Sequence, residues 1–235
     1  MIRNIIMSSA GYGTKQELLY DPFKDGSGKA LYRLEDNALD ESGNYNGTAT
    51  SVTYGAGQFG RCGVFNGTSS YVNPNSYSFN LLSSFSVSMF IKYTGTSVQM
   101  GMGHFHEGSQ VPSAVHERFY IGVSSGKVLI DFTTSETSNN LLSPLLYNDN
   151  LWHHICISYS SKTATMYVDG INVASRLFTV VSNVLIKTPQ IGRMYRTDIA
   201  PDSYFNGSID QVRIFNKALT AGEVSKLYTS ENSVI

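Results

Sequence analysis

Short runs in which apolar and polar residues alternate recur along most of this chain, separated by clusters of Gly, Asn, Asp and Ser. The clearest are Phe85–Ile91, Ile155–Tyr159, Ala164–Val168 and Ile209–Phe215. Successive side chains in an extended run point to opposite faces, so each run predicts a strand with one face available for a core. In the last of them Val212 and Ile214 share a face. Asp169-Gly170, set between Met166-Tyr167-Val168 and Ile171-Asn172-Val173, predicts a tight hairpin, because the type I′ turn needs positive φ at both central residues. Helical spacing is absent until the C-terminus. There Thr220-Ala221-Gly222-Glu223 has capping-box spacing, and Val224, Leu227 and Tyr228 form an apolar stripe, which together predict one short helix over 220–229. No repeat of solenoid or propeller period is present.

Residues 1–28 read differently. Gly11-Tyr12-Gly13-Thr14 and the stretch from Asp21-Pro22 to Gly28 are dense in turn residues, and few apolar positions there can build a local core. The expected organisation is therefore an arm over 1–28, serving attachment or oligomerisation, followed by one domain over 29–235. Composition supports a chain of many short strands: 41% hydrophobic, 15% charged, with 21 Gly, 15 Tyr and 12 Phe. A formal net charge of -1, without a run of like charges, removes the electrostatic footprint that nucleic acid or an anionic membrane surface requires. No segment approaches the ~20 apolar residues of a membrane span. The apolar stretch within the N-terminal Met1–Ala10 is too short and interrupted for a signal-peptide core, so any export is expected to use a route other than an ordinary cleaved signal. Cys62 and Cys156 lack metal-ligand spacing, and they read as small buried thiols or as a disulfide.

Four stretches, in this order, carry a family resemblance: Asp36–Asn44, Phe59–Val72, Trp152–Ile155 leading to Tyr159 and Met166–Gly170, and Phe205–Leu219. The chain resembles the laminin-G-like, concanavalin A-like lectin and glucanase domains. That resemblance implies an all-β fold, a two-sheet antiparallel β-sandwich of jelly-roll type, here with a short N-terminal arm and a short C-terminal helix. Trp152, with Tyr159 and Tyr167, is expected to supply large apolar area to the core between the sheets. Cys62 and Cys156 stand where the resemblance implies small residues such as Ala, which favours packed thiols.

The same resemblance implies a structural calcium ion near Asp40-Glu41-Ser42-Gly43-Asn44, with Asp40, Asn44 and Asp210 offering side-chain oxygens and the turn at Gly60 a carbonyl. In the bland alternative Asp40 and Asn44 are turn formers through Asx-type hydrogen bonds. For ligand binding, the loops holding Tyr147, Asn148 and Asp149, and those holding Tyr195, Arg196, Asp198, Asp202 and Tyr204, combine aromatic faces with polar groups as sugar recognition requires. The alternatives are ordinary polar loops or contacts with a neighbouring subunit. His104-Phe105-His106 would place two imidazoles on one face of a strand, with His116 further on, but no correctly placed third ligand is evident and the Gly-rich segment reads as a loop.

Catalysis is not expected. Glucanases on this fold present paired carboxylates from one strand as Glu-x-Asp-x-x-Glu; no Glu-x-Asp occurs here, and Glu117 with Asp131 is the remaining pair. The opening run Asp21–Tyr32 is similar, more loosely, to the start of such domains in bacteriophage virion proteins. The expected function is thus a non-catalytic binding module on a virion surface, acting in capsid decoration, as a head fibre or at the tail, in a homo-oligomer or multi-copy assembly with other virion proteins. The alternatives are a lectin recognising host-surface or mucosal glycans, secreted or at a cell surface, and a glycoside hydrolase.

Overall fold

The structure is a computed structural model that describes residues 20–107, 116–133, 140–179, 185–196 and 203–229, with backbone alone at 105–107, 116–117, 133 and 196. In chain order the strands are β1 (Gly28–Tyr32), β2 (Gly47–Thr50), β3 (Thr53–Ala56), β4 (Arg61–Asn66), β5 (Tyr71–Pro74) and β6 (Ser78–Asn80). There follow β7 (Phe85–Tyr93), β8 (Gln99–Glu107), β9 (His116–Ser124), β10 (Lys127–Thr133), β11 (Leu141–Leu142) and β12 (His153–Ser160). The last are β13 (Thr163–Val168), β14 (Ile171–Leu177), β15 (Leu185–Lys187), β16 (Gln190–Ile191), β17 (Met194–Arg196) and β18 (Asn206–Phe215), closed by helix α1 (Ala221–Thr229).

Two large sheets face each other. The first runs β14-β13-β12-β7-β18-β4-β3, with β1 also paired to β18. The second runs β11-β10-β9-β8-β16-β5-β2, with β17 lying parallel to β8. All other pairings in both sheets are antiparallel. The expected jelly-roll sandwich is what the chain forms, and the four strands read from alternation appear with slightly longer bounds.

Alternation explains what fills the gap between the sheets. Phe85, Val87, Met89, Ile91 and Tyr93 of β7 point inward, as do Ile155, Ile157 and Tyr159 of β12, against Phe119, Ile121 and Val123 of β9 and Val128, Ile130 and Phe132 of β10. Phe119 and Phe132 stack at 5.2 Å, Phe85 and Tyr159 at 4.8 Å, and Phe85 reaches Phe132 edge-on at 5.6 Å. Trp152 corrects the expectation: it is half-buried and precedes β12 at the rim, so the inter-sheet centre is made of phenylalanines and Tyr159. Tyr167 packs on the other side of the first sheet, with Phe215, Leu219, Val224 and Leu227.

That outer side is covered because the alternate residues of the central strands fasten the C-terminal segment. Ser86 Oγ donates to the Lys217 carbonyl and accepts from the Leu219 N–H, while Ser158 Oγ donates to the Leu219 carbonyl. The helix begins with the predicted box: Thr220 Oγ1 accepts from Glu223 N–H and Glu223 Oε2 accepts from Thr220 N–H. The hairpin at Asp169-Gly170 also forms, with both residues at positive φ. Tyr20–Gly28, assigned to the arm by sequence, lies against this layer. Asp21 accepts the Gly26 and Gly28 N–H groups, and Phe23 meets Phe215 at 5.6 Å. Residues 1–19 of the expected arm lie outside the described residues.

The two free thiols sit on the first sheet's outer side, both buried. Cys62 donates to the Ala56 carbonyl, and Cys156 joins the cluster around Tyr167, where burial pushes its pKa up. Packed thiols are therefore the outcome.

Replacing Phe85 by Ala should lower stability by about 3–5 kcal/mol, since a buried ring leaves a cavity that its neighbours cannot refill. Trp152→Ala should cost clearly less. Urea unfolding measures both as midpoint shifts at unchanged slope, and equal losses would return Trp152 to the core.

Candidate functional site

The second sheet carries a polar and aromatic cluster on its outer face. On β5, Val72 is fully buried in the inter-sheet core, so alternation turns Tyr71 and Asn73 outward. On the neighbouring β16, Ile191 pairs with Val72, which brings Gln190 beside Asn73; Gln190 Nε2 donates to Asn73 Oδ1 at 3.2 Å. The chain then reverses at Gly192, which has φ +84 and lies so close to the Phe65 ring that a Cβ would stand 2.2 Å from it. This reversal lifts Arg193 over the strands. Its guanidinium carbon is 3.4 Å from the centre of the Tyr71 ring, Nε donates to Gln190 Oε1, and Nη1 donates to Tyr204 Oη at 3.1 Å. Tyr204 is held there because the next residue, Phe205, is core and its N–H donates to the Gly192 carbonyl at 2.8 Å.

Of the predicted ligand residues whose side chains are described, Tyr204 alone joins this cluster. Tyr195, half-buried, lies beside His104 with ring centres 6.0 Å apart. The Arg196 side chain and all of Asp198 and Asp202 fall outside the described residues, as do the side chains of His106 and His116. Tyr71, Asn73, Gln190 and Arg193 escaped sequence reasoning because they come from separate short strands whose adjacency no local pattern announces.

The loop with Tyr147, Asn148 and Asp149 is built from within. Tyr147 is only 8% exposed; its N–H donates to the Gly126 carbonyl at 2.7 Å and its ring meets His153 edge-on at 5.0 Å. A ring buried in this way offers no open face to a ligand. Asn148 Nδ2 donates to the Gly95 carbonyl at 3.0 Å. Asp149 Oδ1 accepts from the Leu151 N–H at 2.9 Å, which with its bond to His153 holds its carboxyl below the usual range. His153 ties this loop to the hairpin: Nε2 meets Asp149 Oδ1 at 3.1 Å and Nδ1 meets Asp169 Oδ2 at 2.8 Å. The bond to Asp169 raises the His153 pKa above its ordinary 6.5.

The proposed calcium ligands separate. Asp40 is spent on turn formation: Oδ1 accepts from the Leu31 and Ser42 N–H groups at 2.9 and 3.1 Å, and Oδ2 from the Tyr45 N–H at 3.1 Å and from the Ser42 hydroxyl. Asn44 is exposed and bonds to Ser42 Oγ, and the Gly60 carbonyl accepts the Gly57 N–H. Asp210 differs. It is fully buried in β18; Oδ2 accepts the Phe59 N–H at 3.0 Å, and Oδ1 has no hydrogen-bond partner among the described residues. Burial, with the Glu35 charge adding to it, pushes its carboxyl up to about 7. Glu35, missed by sequence reasoning, places its carboxylate against Gly60 and accepts the Arg61 N–H at 2.9 Å. An orphaned buried oxygen near a second carboxylate fits a hard cation at Asp210; the donor set at Asp40 and Asn44 does not. No cluster of three or more His, Cys, Asp or Glu with metal-holding geometry occurs among the described residues.

Asp131 is fully buried on β10 with Arg118 Nη1 at 3.9 Å. It stands opposite Tyr120 in the ladder, whereas Glu117 stands opposite His106. His154, under the Tyr228 ring, bonds Ser88 Oγ through Nε2 at 2.7 Å, and burial drives its pKa down to about 3.

Residues 66–225 match Laminin_G_3, the concanavalin A-like lectin/glucanases superfamily. The chain belongs to this family. Among curated proteins, no sequence matches it. Solved structures similar to this chain include domain 4 of AbnA, an extracellular arabinanase of Geobacillus stearothermophilus in complex with arabinotriose, with TM-score 0.66, 22% identity, and coverage of 85% of this chain and 97% of that one. The binding domain of Paraclostridial Mosquitocidal Protein 1 aligns with TM-score 0.61 and 17% identity over 85% of this chain and 51% of that one. The binding domain of botulinum neurotoxin serotype D gives 0.62 and 16%, over 87% and 52%. At these identities the likeness is one of fold, and this laminin-G-like chain spans about half of each toxin domain.

The His153 clasp has a signed pH dependence. A histidine whose folded pKa lies above its unfolded value contributes stability that is fully present below about 6.5 and lost as pH rises through the folded pKa. The stability difference between wild type and His153→Gln should therefore be larger at acid pH than well above neutrality, as measured by thermal melts across that range. A difference that does not change with pH would remove the clasp.

Proposed function

We propose that this laminin-G-like domain is a non-catalytic carbohydrate-binding module whose recognition face is the cluster of Tyr71, Asn73, Gln190, Arg193 and Tyr204. The observation that carries this reading is the convergence of two tyrosine rings, two amides and a guanidinium on one outer sheet face, held by backbone bonds of the underlying strands. Sugar rings are recognised by that chemistry: flat apolar faces for C–H groups and a few fixed hydrogen-bond groups for hydroxyls. The arabinotriose bound by the AbnA domain supports it by analogy of fold. Display on a virion surface rests on the opening segment, and no observation favours it over glycan binding.

A calcium ion at Asp210 and Glu35 belongs to the same proposal as a structural element. It would neutralise Asp210, with Glu35, already paired with Arg33 at 2.7 Å, as a neighbouring oxygen donor, and thereby fasten the turn at Gly57–Gly60 to β18.

Two measurements test these statements. On a glycan array and by calorimetry, Tyr204→Ala and Asn73→Ala should each weaken sugar binding by ~5–10-fold, the equivalent of about one hydrogen bond or ring contact; a flat array for the folded wild type refutes the reading. Calcium should raise the melting temperature of the wild type, while Asp210→Asn should lose that response. Identical responses in the two proteins would dismiss the ion.

A further inference from the structure

Arg193 is 9% exposed, yet its partners among the described residues are neutral: the Tyr71 ring, Gln190 Oε1 and Tyr204 Oη. Among the described residues no carboxylate lies within ion-pair distance of it. Arg118, on the same sheet, is different, with Asp131 at 3.9 Å. A guanidinium cannot discard its proton to escape burial, and a charge withdrawn from water without a counter-charge is costly. Stacking on Tyr71 and two neutral hydrogen bonds offset part of that cost. They also fix the plane of the fork, and among the described residues only those two of its five N–H donors are taken.

A buried, oriented and incompletely satisfied fork is complementary to a planar anion. Two parallel N–H···O bonds match a carboxylate in spacing and in plane, which a lysine ammonium does not do. The surrounding side chains of Tyr71, Asn73, Gln190 and Tyr204 carry no negative charge to oppose an anion, and their amides and hydroxyl suit the hydroxyls of the same sugar. We infer that Arg193 is a carboxylate-recognition residue and that the glycan taken by this face is an acidic one, bearing a uronic or sialic acid. The inference rests on the glycan-binding reading and narrows it to a ligand class.

The test uses the full chain against neutral, sulfated, uronate-containing and sialylated oligosaccharides, followed by titration of the best binder before and after reduction of its carboxyl to an alcohol. Carboxylated sugars should bind at least tenfold more tightly than neutral ones of the same length, and carboxyl reduction should remove that advantage. Because the reduced sugar probes the wild-type protein, the result does not depend on a variant that folds. Arg193→Lys, which keeps the charge and loses the fork, should lose most of the preference, and Arg193→Gln all of it. A preference for carboxylated over neutral sugars that survives Arg193→Gln overturns this inference and leaves the carbohydrate-binding reading intact. A preference for sulfated sugars overturns the carboxylate assignment, and binding to no sugar overturns both readings.

Discussion

Phe79, Phe85, Phe119, Phe132, Tyr159 and Phe178 meet between the two sheets, with ring centres of neighbouring pairs 4.7–5.8 Å apart. Each such pair contributes about 0.5–1.5 kcal/mol beyond the burial of its area. Because β7 and β12 supply rings from one sheet and β9 and β10 from the other, the cluster sets which faces turn inward and how the sheets stand to each other. Everything on the outside inherits its position from this choice. The serines of β7 and β12 are turned away from the rings, and so they become the anchors for the chain that leads into the helix.

A second constraint lies in β18. This strand is paired first with β4, up to Ile209 opposite Gly63, and then with β1, from Val212 opposite Tyr32. Between them Gln211 adopts φ +53 and the ladder to β7 slips, so that Ile209 and Val212 both face the core although three positions separate them. The bulge lets one strand serve two neighbours. It also leaves Asp210 buried beneath the turn at 57–60, where a Cβ on Gly57 would come within 2.7 Å of its Oδ2. Among the described residues no cation pairs with that carboxylate.

The outer face of the second sheet follows a similar logic. Tyr71 and Asn73 face outward because Val72 faces in, and Gln190 follows because Ile191 does. Gly192 can take its left-handed turn against Phe65 with no side chain to clash, and this places Arg193 over the ring of a residue more than a hundred positions earlier. The rim loop at Tyr147 is assembled oppositely, with its aromatic ring turned into the protein and its polar groups bonded to one another. Composition alone makes these two loops look alike.

Alternation, the Asp169-Gly170 turn and the Thr220–Glu223 cap were readable from the chain because each depends on contacts within a few residues. The order of four weakly matching stretches was enough for the family. What lay beyond local reach was settled by strand neighbours: Trp152 falls at the rim since β12 starts one residue later, and Asp40 fills with N–H donors since its turn closes on Leu31. Asp210 was legible as an acid at a strand start but not as a buried one beside Glu35. Arg193 was a lone cation in a polar stretch until folding removed it from water with no carboxylate beside it among the described residues. Local sequence thus determined the elements and the fold, while the chemistry available at each surface was decided by long-range packing, because burial and pairing are properties of neighbours that the chain brings together only when folded.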